Sequence, residues 1–311
     1  MGPVITVLLG LGGALVYGAA DFLGGLASRR VRPVTVTAVA AAVGLVPLLV
    51  GSAVLGSRFS GQATAAGVVA GLSGAVGVLL LYAALAIGPM SVLSPLTAVF
   101  SAVVPVVVAL LRGTVLSPLG VVALVVAVVA VVLVASVPDP GGARLTLRGV
   151  VTAAIAGCGF GGVVLGYDAS PADSGVATLL VARTLQVVLL GTAALVTMWL
   201  GARLRRRPGG SSPASTTADV RPVAGRVRPS RTLVLVVIAC GVFDALANVF
   251  IQAGLHSSDD PSTLPVMSVL NALYPIGTVV LAGIVLRERL TALQTAGIVL
   301  AFAASVGLAV S

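Results

Sequence analysis

TLVLVVIACGVFDALANVFIQAGL, Thr232 to Leu255, is long enough to cross a bilayer and apolar on nearly all sides. About 20 consecutive apolar residues suffice for a spanning helix. A β-barrel strand would be about half that length and would alternate strictly, so the run reads as a helix surrounded by lipid. One feature breaks its uniformity. Asp244 lies near its centre, with Asn248 and Gln252 at i+4 and i+8, which places all three on one helical face. A helix polar along a single stripe turns that stripe inward.

Similar runs fill the chain. Of its 311 residues 58% are hydrophobic and only 9% charged, against about 25% charged in soluble domains. That is too few charges to clothe a folded body of this size in water. Ten spans are read, over 4–26, 34–56, 64–86, 92–111, 118–136, 149–168, 176–200, 232–255, 263–286 and 291–310. The fold class is therefore all-α and polytopic. Nearly all connections are short. The exception, 201–230, holds Arg, Pro, Gly, Ser and Thr with few large apolar residues. It cannot bury enough surface to order itself and is expected to be a disordered basic loop outside the membrane.

The second half repeats the first. Pro95 and Pro105 in span four match Pro265 and Pro275 in span nine at one constant offset, which also sets Ala83-Ala84-Leu85 against Ala253-Gly254-Leu255 and Ser101 against Asn271. After a four-residue shift Leu116-Ser117-Pro118-Leu119 aligns with Leu290-Thr291-Ala292-Leu293. The expected organisation is two five-helix repeats, 1–136 and 149–311. An odd number of spans per repeat inverts the second copy, the plan of many secondary transporters.

The net charge of +9 comes from 18 basic residues, all arginine. With 4% aromatic residues there is no base-stacking platform, so nucleic acid is not an expected partner. The arginines instead mark loops. Connections one–two (Arg29, Arg30, Arg32), five–six (Arg144, Arg148), seven–eight (Arg203, Arg205, Arg206, Arg207, Arg221, Arg226, Arg228, Arg231) and nine–ten (Arg287, Arg289) carry fifteen, against Arg58 and Arg112 on the other side. That other side holds the acids Asp168, Asp173, Asp259 and Asp260. The positive-inside rule then puts both termini outside the cytoplasm, in a multi-pass protein of the cell membrane. No basic segment precedes the first apolar run, so a cleaved signal peptide is not expected.

Several stretches resemble the EamA-type transporters of the drug/metabolite transporter superfamily. VLRERLTALQTAGIVLAFAASVGLA, Val285 to Ala309, looks like the turn and last helix that end each half in that family. LYAALAIGPMSVLSPLTAVFSAVVPVVVALL, Leu81 to Leu111, and YGAADFLGGLASRR, Tyr17 to Arg30, resemble first-half helices. The resemblance implies ten helices in two inverted repeats and the movement of small metabolites or drugs, with export ahead of uptake. Glu288 matches the acidic turn position, whereas Leu111-Arg112-Gly113-Thr114 in the first half lacks it.

Charges within spans are costly, roughly 2.5–3.5 kcal/mol on insertion scales, and normally face a cavity or a partner. Arg183 in span seven and Asp244 in span eight are at reachable depths, with Gln186 one turn from Arg183. They form a solute or proton site, or a structural ion pair locking the two spans. Asp21, near the basic end of span one, is a cavity carboxylate or an interface one, and Tyr17 is one turn before it. Tyr82, Asn271 and Tyr274 are cavity-lining candidates, and Pro275 after Tyr274 is a place for the helix to break. Trp199 reads as an interfacial residue, and Gly67, Gly71, Gly74 and Gly77 as a close-packing face. Cys158 and Cys240 are small apolar fillers.

The expected partners are a small-molecule solute and the lipid bilayer, with a proton as coupling ion and a second copy of the chain as further expectations. No metal spacing is present, and the chain has no Lys and no P-loop, so no metal, cofactor or ATP hydrolysis is expected. Two other classes remain. Gly71-Leu72-Ser73-Gly74 with the single His256 would suit an intramembrane serine hydrolase if the two side chains met. A membrane subunit that carries nothing is the other.

Overall fold

The computed structural model describes residues 2–28, 30–87, 90–135, 146–205, 230–285 and 291–310. The chain forms α1 (Gly2–Ser28), α2 (Pro33–Leu55), α3 (Gly61–Ile87), α4 (Met90–Leu111), α5 (Pro118–Ala135), α6 (Leu147–Asp168), α7 (Ala177–Arg205), α8 (Arg231–Leu255), α9 (Thr263–Asn271), α10 (Tyr274–Val285) and α11 (Ala292–Val310). A short 3-10 turn, Ala172–Ser174, precedes α7. Among the described residues the fold is all-helical, and α1, α2, α3, α6, α7 and α8 are long and apolar enough to cross a membrane.

Helix starts follow local chemistry. Thr146 and Ser230 accept backbone N–H groups of Gly149 and Leu233 at 3.1 and 3.2 Å, capping α6 and α8. Pro33 opens α2, where its missing N–H costs nothing. Two helix boundaries differ from the sequence reading. The α7 helix continues through Gly201–Arg205, so the loop expected over 201–230 starts later. Arg203 lies over the Trp199 ring at 3.7 Å there, a cation–π contact that favours the extra turn. Ser230 already belongs to the cap of α8, and 206–229 lie outside the described residues. Span nine is two helices rather than one, interrupted at Ala272 and Leu273. Pro275 has no N–H to give the Asn271 carbonyl, and Leu273 N instead bonds Leu270 O at 3.1 Å.

The interior is built from small residues and the outside from large ones. Ala63, Ala70, Ala98, Ala127, Ala153, Ala156, Ala177, Ala245 and Ala247 are fully buried, while Leu8, Val46, Leu72, Leu195 and Leu235 are all more than half exposed. Water would oppose that distribution; lipid tolerates it, because helix association there rests on close packing rather than on hiding apolar surface. The glycine face of α3 serves this packing. Gly67 and Gly71 meet Val181 and Ala182 of α7, Gly74 meets the Gln186 amide, and Gly77 meets Ala156 and Phe160 of α6. The main packing partners are α3 with α6, α1 with α8, α5 with α11, α4 with α6, α3 and α2 with α7, α2 with α8, and α1 with both α9 and α10.

Candidate functional site

The inward stripe of α8 meets α7, α1 and α2 around one ion pair. Arg183 Nη2 and Asp244 Oδ2 are 2.5 Å apart, with side-chain exposures of 8% and 23%. The pair forms because α2 lets α7 and α8 close on it. Gly44 of α2 touches the Gly241 carbonyl and leaves room for Arg183 Nε, and any larger residue at 44 would fill that space. Across α8 the Asn248 amide donates to the Asp244 carbonyl at 2.7 Å and accepts from the Tyr167 hydroxyl of α6 at 3.0 Å.

The first half contributes Tyr17 and Asp21. Tyr17 lies in electrostatic range of Asp21, Asp244, Arg183 and Tyr167, and its ring is 5.7 Å from that of Tyr274 on α10, tilted by 53°. Asp21 is exposed and faces Asp244 electrostatically. Leu8 and Leu15 mark the outward face of α1, at 64% and 56% exposed. At about 100° per residue Asp21 is turned roughly 140° from Leu8, on the side of Tyr17 and Ala14. Asp21 therefore lies off the apolar outward face of α1 that Leu8 and Leu15 mark. Among the described residues Asp21 has no ion-pair partner.

Above the ion pair, toward the Asp168 end, polar contacts continue. Gln252 Nε2 donates to Ser170 Oγ at 3.2 Å, Ser170 Oγ donates to the Tyr167 carbonyl at 2.7 Å, and His256 Nε2 lies 3.4 Å from Ser170 Oγ. Burial pushes the His256 imidazole below its ordinary range, against backbone hydrogen bonds to Tyr167 and Ser170 and the charge of Asp168. Asp260, in the loop before α9, is held low by N–H and hydroxyl bonds from Ser262. Near Val115 and Leu116 a cavity of about 160 Å³ lies between α5 and the start of α9, and one of about 510 Å³ between α4 and α5. Neither touches the charged cluster.

Asp21, Tyr17, Arg183, Asp244, Asn248 and Tyr274 thus come together. Asn271 ends α9 one turn before Tyr274, 8% exposed, and its Oδ1 finds no hydrogen-bond partner among the described residues. Gln186 packs against Gly74 of α3 instead of joining the pair. The side chain of Tyr82 lies outside the described residues, as do Glu288, Arg29, Arg144, Arg287 and Arg289. Tyr167 and Ser170 are additions to the sequence reading; a tyrosine closing an apolar run reads as an interface residue, and only the packing of α6 against α8 reveals its role. Ser73 faces Gly162 of α6, while His256 bonds Ser170 in the loop after α6. The pairing that a serine hydrolase would need is not made.

Residues 4–136 match the EamA-like transporter family. A crystal structure of a protein, 15% identical, aligns over 97% of this chain and 95% of its own length with a TM-score of 0.69. At that identity the likeness is one of fold. No curated protein matches the sequence.

Proposed function

From the premise that residues 4–136 belong to the EamA-like transporter family, we propose that the chain is a secondary carrier of a small organic solute in the cell membrane, working by alternating access and in the direction of export. It crosses the membrane ten times in two inverted five-helix repeats, 1–136 and 149–311, with α9 and α10 together forming one span. Packing supports the duplication. Exchanging the halves turns α3 on α6 into α8 on α1, α3 on α7 into α8 on α2, and α4 on α6 into α9 and α10 on α1, and every one of these contacts exists.

One observation carries the reading: the Arg183–Asp244 pair buried in the body of a helix bundle whose outside is apolar. Ionised groups at such depth are retained where they serve a pathway. The pair belongs to the second half and is faced by Tyr17 and Asp21 of the first, so a rocking motion between halves would open and close the space around it. Tyr274, Asn248 and Asn271 complete the wall, and a proton on a carboxylate is the coupling ion.

The test is solute flux. A metabolite pool is offered to liposomes holding the purified protein, with and without a pH gradient. The parent protein moves at least one component, and Asp244→Asn, inserted to the same level, slows that flux at least tenfold. Unchanged flux in that variant removes the site, and no flux of any component by the parent removes the carrier.

A further inference from the structure

Helices α4 and α5 follow one another in the chain yet pack on different neighbours, α4 chiefly on α6 and α5 chiefly on α11. The cavity of about 510 Å³ opens between them. Its floor is Leu124, 8% exposed, and its walls are Val106, Leu110, Val121 and Val125. Leu110, Val121 and Val125 are 49%, 46% and 58% exposed, so the cavity is a groove that faces outward, where a membrane protein meets acyl chains. From Leu116 to Val125 it follows α5 for roughly 13 Å at about 1.5 Å per residue, close to half of a bilayer core about 30 Å thick. The groove therefore has the depth of one leaflet.

At the membrane boundary its lining changes character. The cavity of about 160 Å³ shares Val115, Leu116 and Leu124 with the groove and adds Ser117, Asp260 and Ser262. The loop that carries Asp260 is held there by the Thr114 hydroxyl, which donates to the Pro261 carbonyl at 3.4 Å. Asp260 Oδ1 accepts the Ser262 N–H at 2.8 Å, which uses one of about four acceptor positions on the carboxylate. Asp259 next to it adds a second negative charge. An apolar groove one leaflet deep thus ends in a small acidic pocket, a pairing that fits an amphiphile with an alkyl chain and a positive head. A primary ammonium donates charge-assisted hydrogen bonds to a carboxylate. A choline head has no N–H to give, and a glycerol head leaves the lipid phosphate as an uncompensated negative charge beside Asp260.

We propose that the joined cavities hold a phospholipid of the ethanolamine type, with one acyl chain in the groove between α4 and α5 and its ammonium on Asp260. The proposal needs the chain to be in a bilayer; it does not need the chain to carry a solute.

The probe is a phosphatidylethanolamine with a photoactivatable diazirine in one acyl chain, added to the full-length protein in detergent and crosslinked by light. Labelled peptides should come mainly from the facing walls, 106–110 and 121–125. Unlabelled phosphatidylethanolamine should compete at concentrations at least fivefold below those of phosphatidylcholine or phosphatidylglycerol with the same acyl chains. Asp260→Asn keeps an oxygen for the Ser262 N–H and removes the charge, and it should erase that preference. Val121→Trp, which fills the groove from its exposed wall, should cut labelling of α4 and α5 at least fivefold while other lipid-facing helices label as before. Melting of both variants without added lipid should match the parent. If a variant melts early, Leu110→Trp replaces it for the groove and Asp260→Ser for the charge. Labelling spread evenly over all outward helices overturns the proposal, as does equal competition by the three lipids or a preference that survives loss of the carboxylate. Crosslinks from α4 or α5 to a second copy of the chain, in place of lipid, would also overturn it and make the groove a dimer contact.

Discussion

At the scale of single residues, the Arg183–Asp244 contact has two explanations that differ in consequence. A buried ion pair is often no more stabilising than an apolar pair of the same volume, whereas removing one partner leaves an uncompensated charge and costs about 3–5 kcal/mol. Arg183 is the more buried member, so Asp244→Ala should lower thermal stability in detergent strongly. Removing both charges, with Arg183→Leu beside Asp244→Ala, should recover most of that loss. A pair that only locks α7 to α8 would recover transport together with stability. In a solute site the double variant folds and stays inactive. Melting curves and flux on the same three preparations separate the two, and recovered flux in the double variant would make the pair structural. The residues themselves announced this pairing, because an Asp and an Arg inside apolar runs are expensive and must find something. Gln186 was harder to place. One helical turn put it next to Arg183 along the chain, but three residues also rotate a side chain by about 60°, enough to send its amide to Gly74 on α3.

Between elements, distance is set by glycine and register by proline. The carbonyl of Ala40 on α2 rests against Gly241 of α8, and a Cβ at 241 would collide with it. The obstacle is backbone, which cannot swing aside, so Gly241→Ala must part α2 from α8. We expect it to cost about 1–3 kcal/mol of stability, the usual range for overpacking, and to lengthen the Arg183–Asp244 contact that Gly44 and Gly241 allow. Melting of the variant checks the first, and an unchanged melting temperature would mean that this crossing is looser than the packing implies. The glycine face of α3 was legible in the sequence from its spacing alone; the Gly44–Gly241 crossing was not, since each helix has one other glycine, Gly51 and Gly254, that forms no such series, and only the fold brings 44 and 241 together. Proline was half legible. Pro105 and Pro275 occupy matched positions, yet α4 runs unbroken through Pro105 while Pro275 marks the gap between α9 and α10. In the first half Ser101 returns its hydroxyl to the Ala98 carbonyl at 2.7 Å, whereas Asn271 at the matched place leaves Oδ1 open. The proposed duplication is read from the letters, but the difference between Ser101 and Asn271 depends on which side chain satisfies the backbone nearby.

At the scale of the molecule, the end bearing the acids is tied across the two halves. Arg58 pairs with Asp173 at 3.2 Å and Arg112 with Asp168 at 2.9 Å. Arg58 N also donates to the Ser174 carbonyl at 3.1 Å, Ser57 and Gly175 form an antiparallel bridge, and Gln62 Nε2 donates to the Ala169 carbonyl at 3.1 Å. The ties run from the α2–α3 and α4–α5 connections and the first turn of α3 to the end of α6 and the segment between α6 and α7. Asp21, one to two turns from the opposite end of α1, is exposed. Among the described residues the acidic end is therefore the tied one, and in the proposed orientation it faces away from the cytoplasm. In the proposed carrier the acidic side must open in turn, and the strength of its ties suits that task. Exposed ion pairs contribute only about 0–1 kcal/mol each and weaken in salt, enough to favour the closed side without locking it. Asp168→Asn with Asp173→Asn should then raise the population open on the acidic side by about three- to tenfold, the equivalent of roughly 0.7–1.4 kcal/mol. A cysteine at Asn271, with Cys158 and Cys240 replaced by Ser and Ala, reports that opening to a membrane-impermeant thiol reagent. Labelling from the acidic side should quicken by that factor in the double variant, and raised salt should quicken it in the parent but hardly in the variant. Equal labelling rates with and without the two carboxylates would show that the backbone bridge at Ser57 and Gly175 holds that side shut alone.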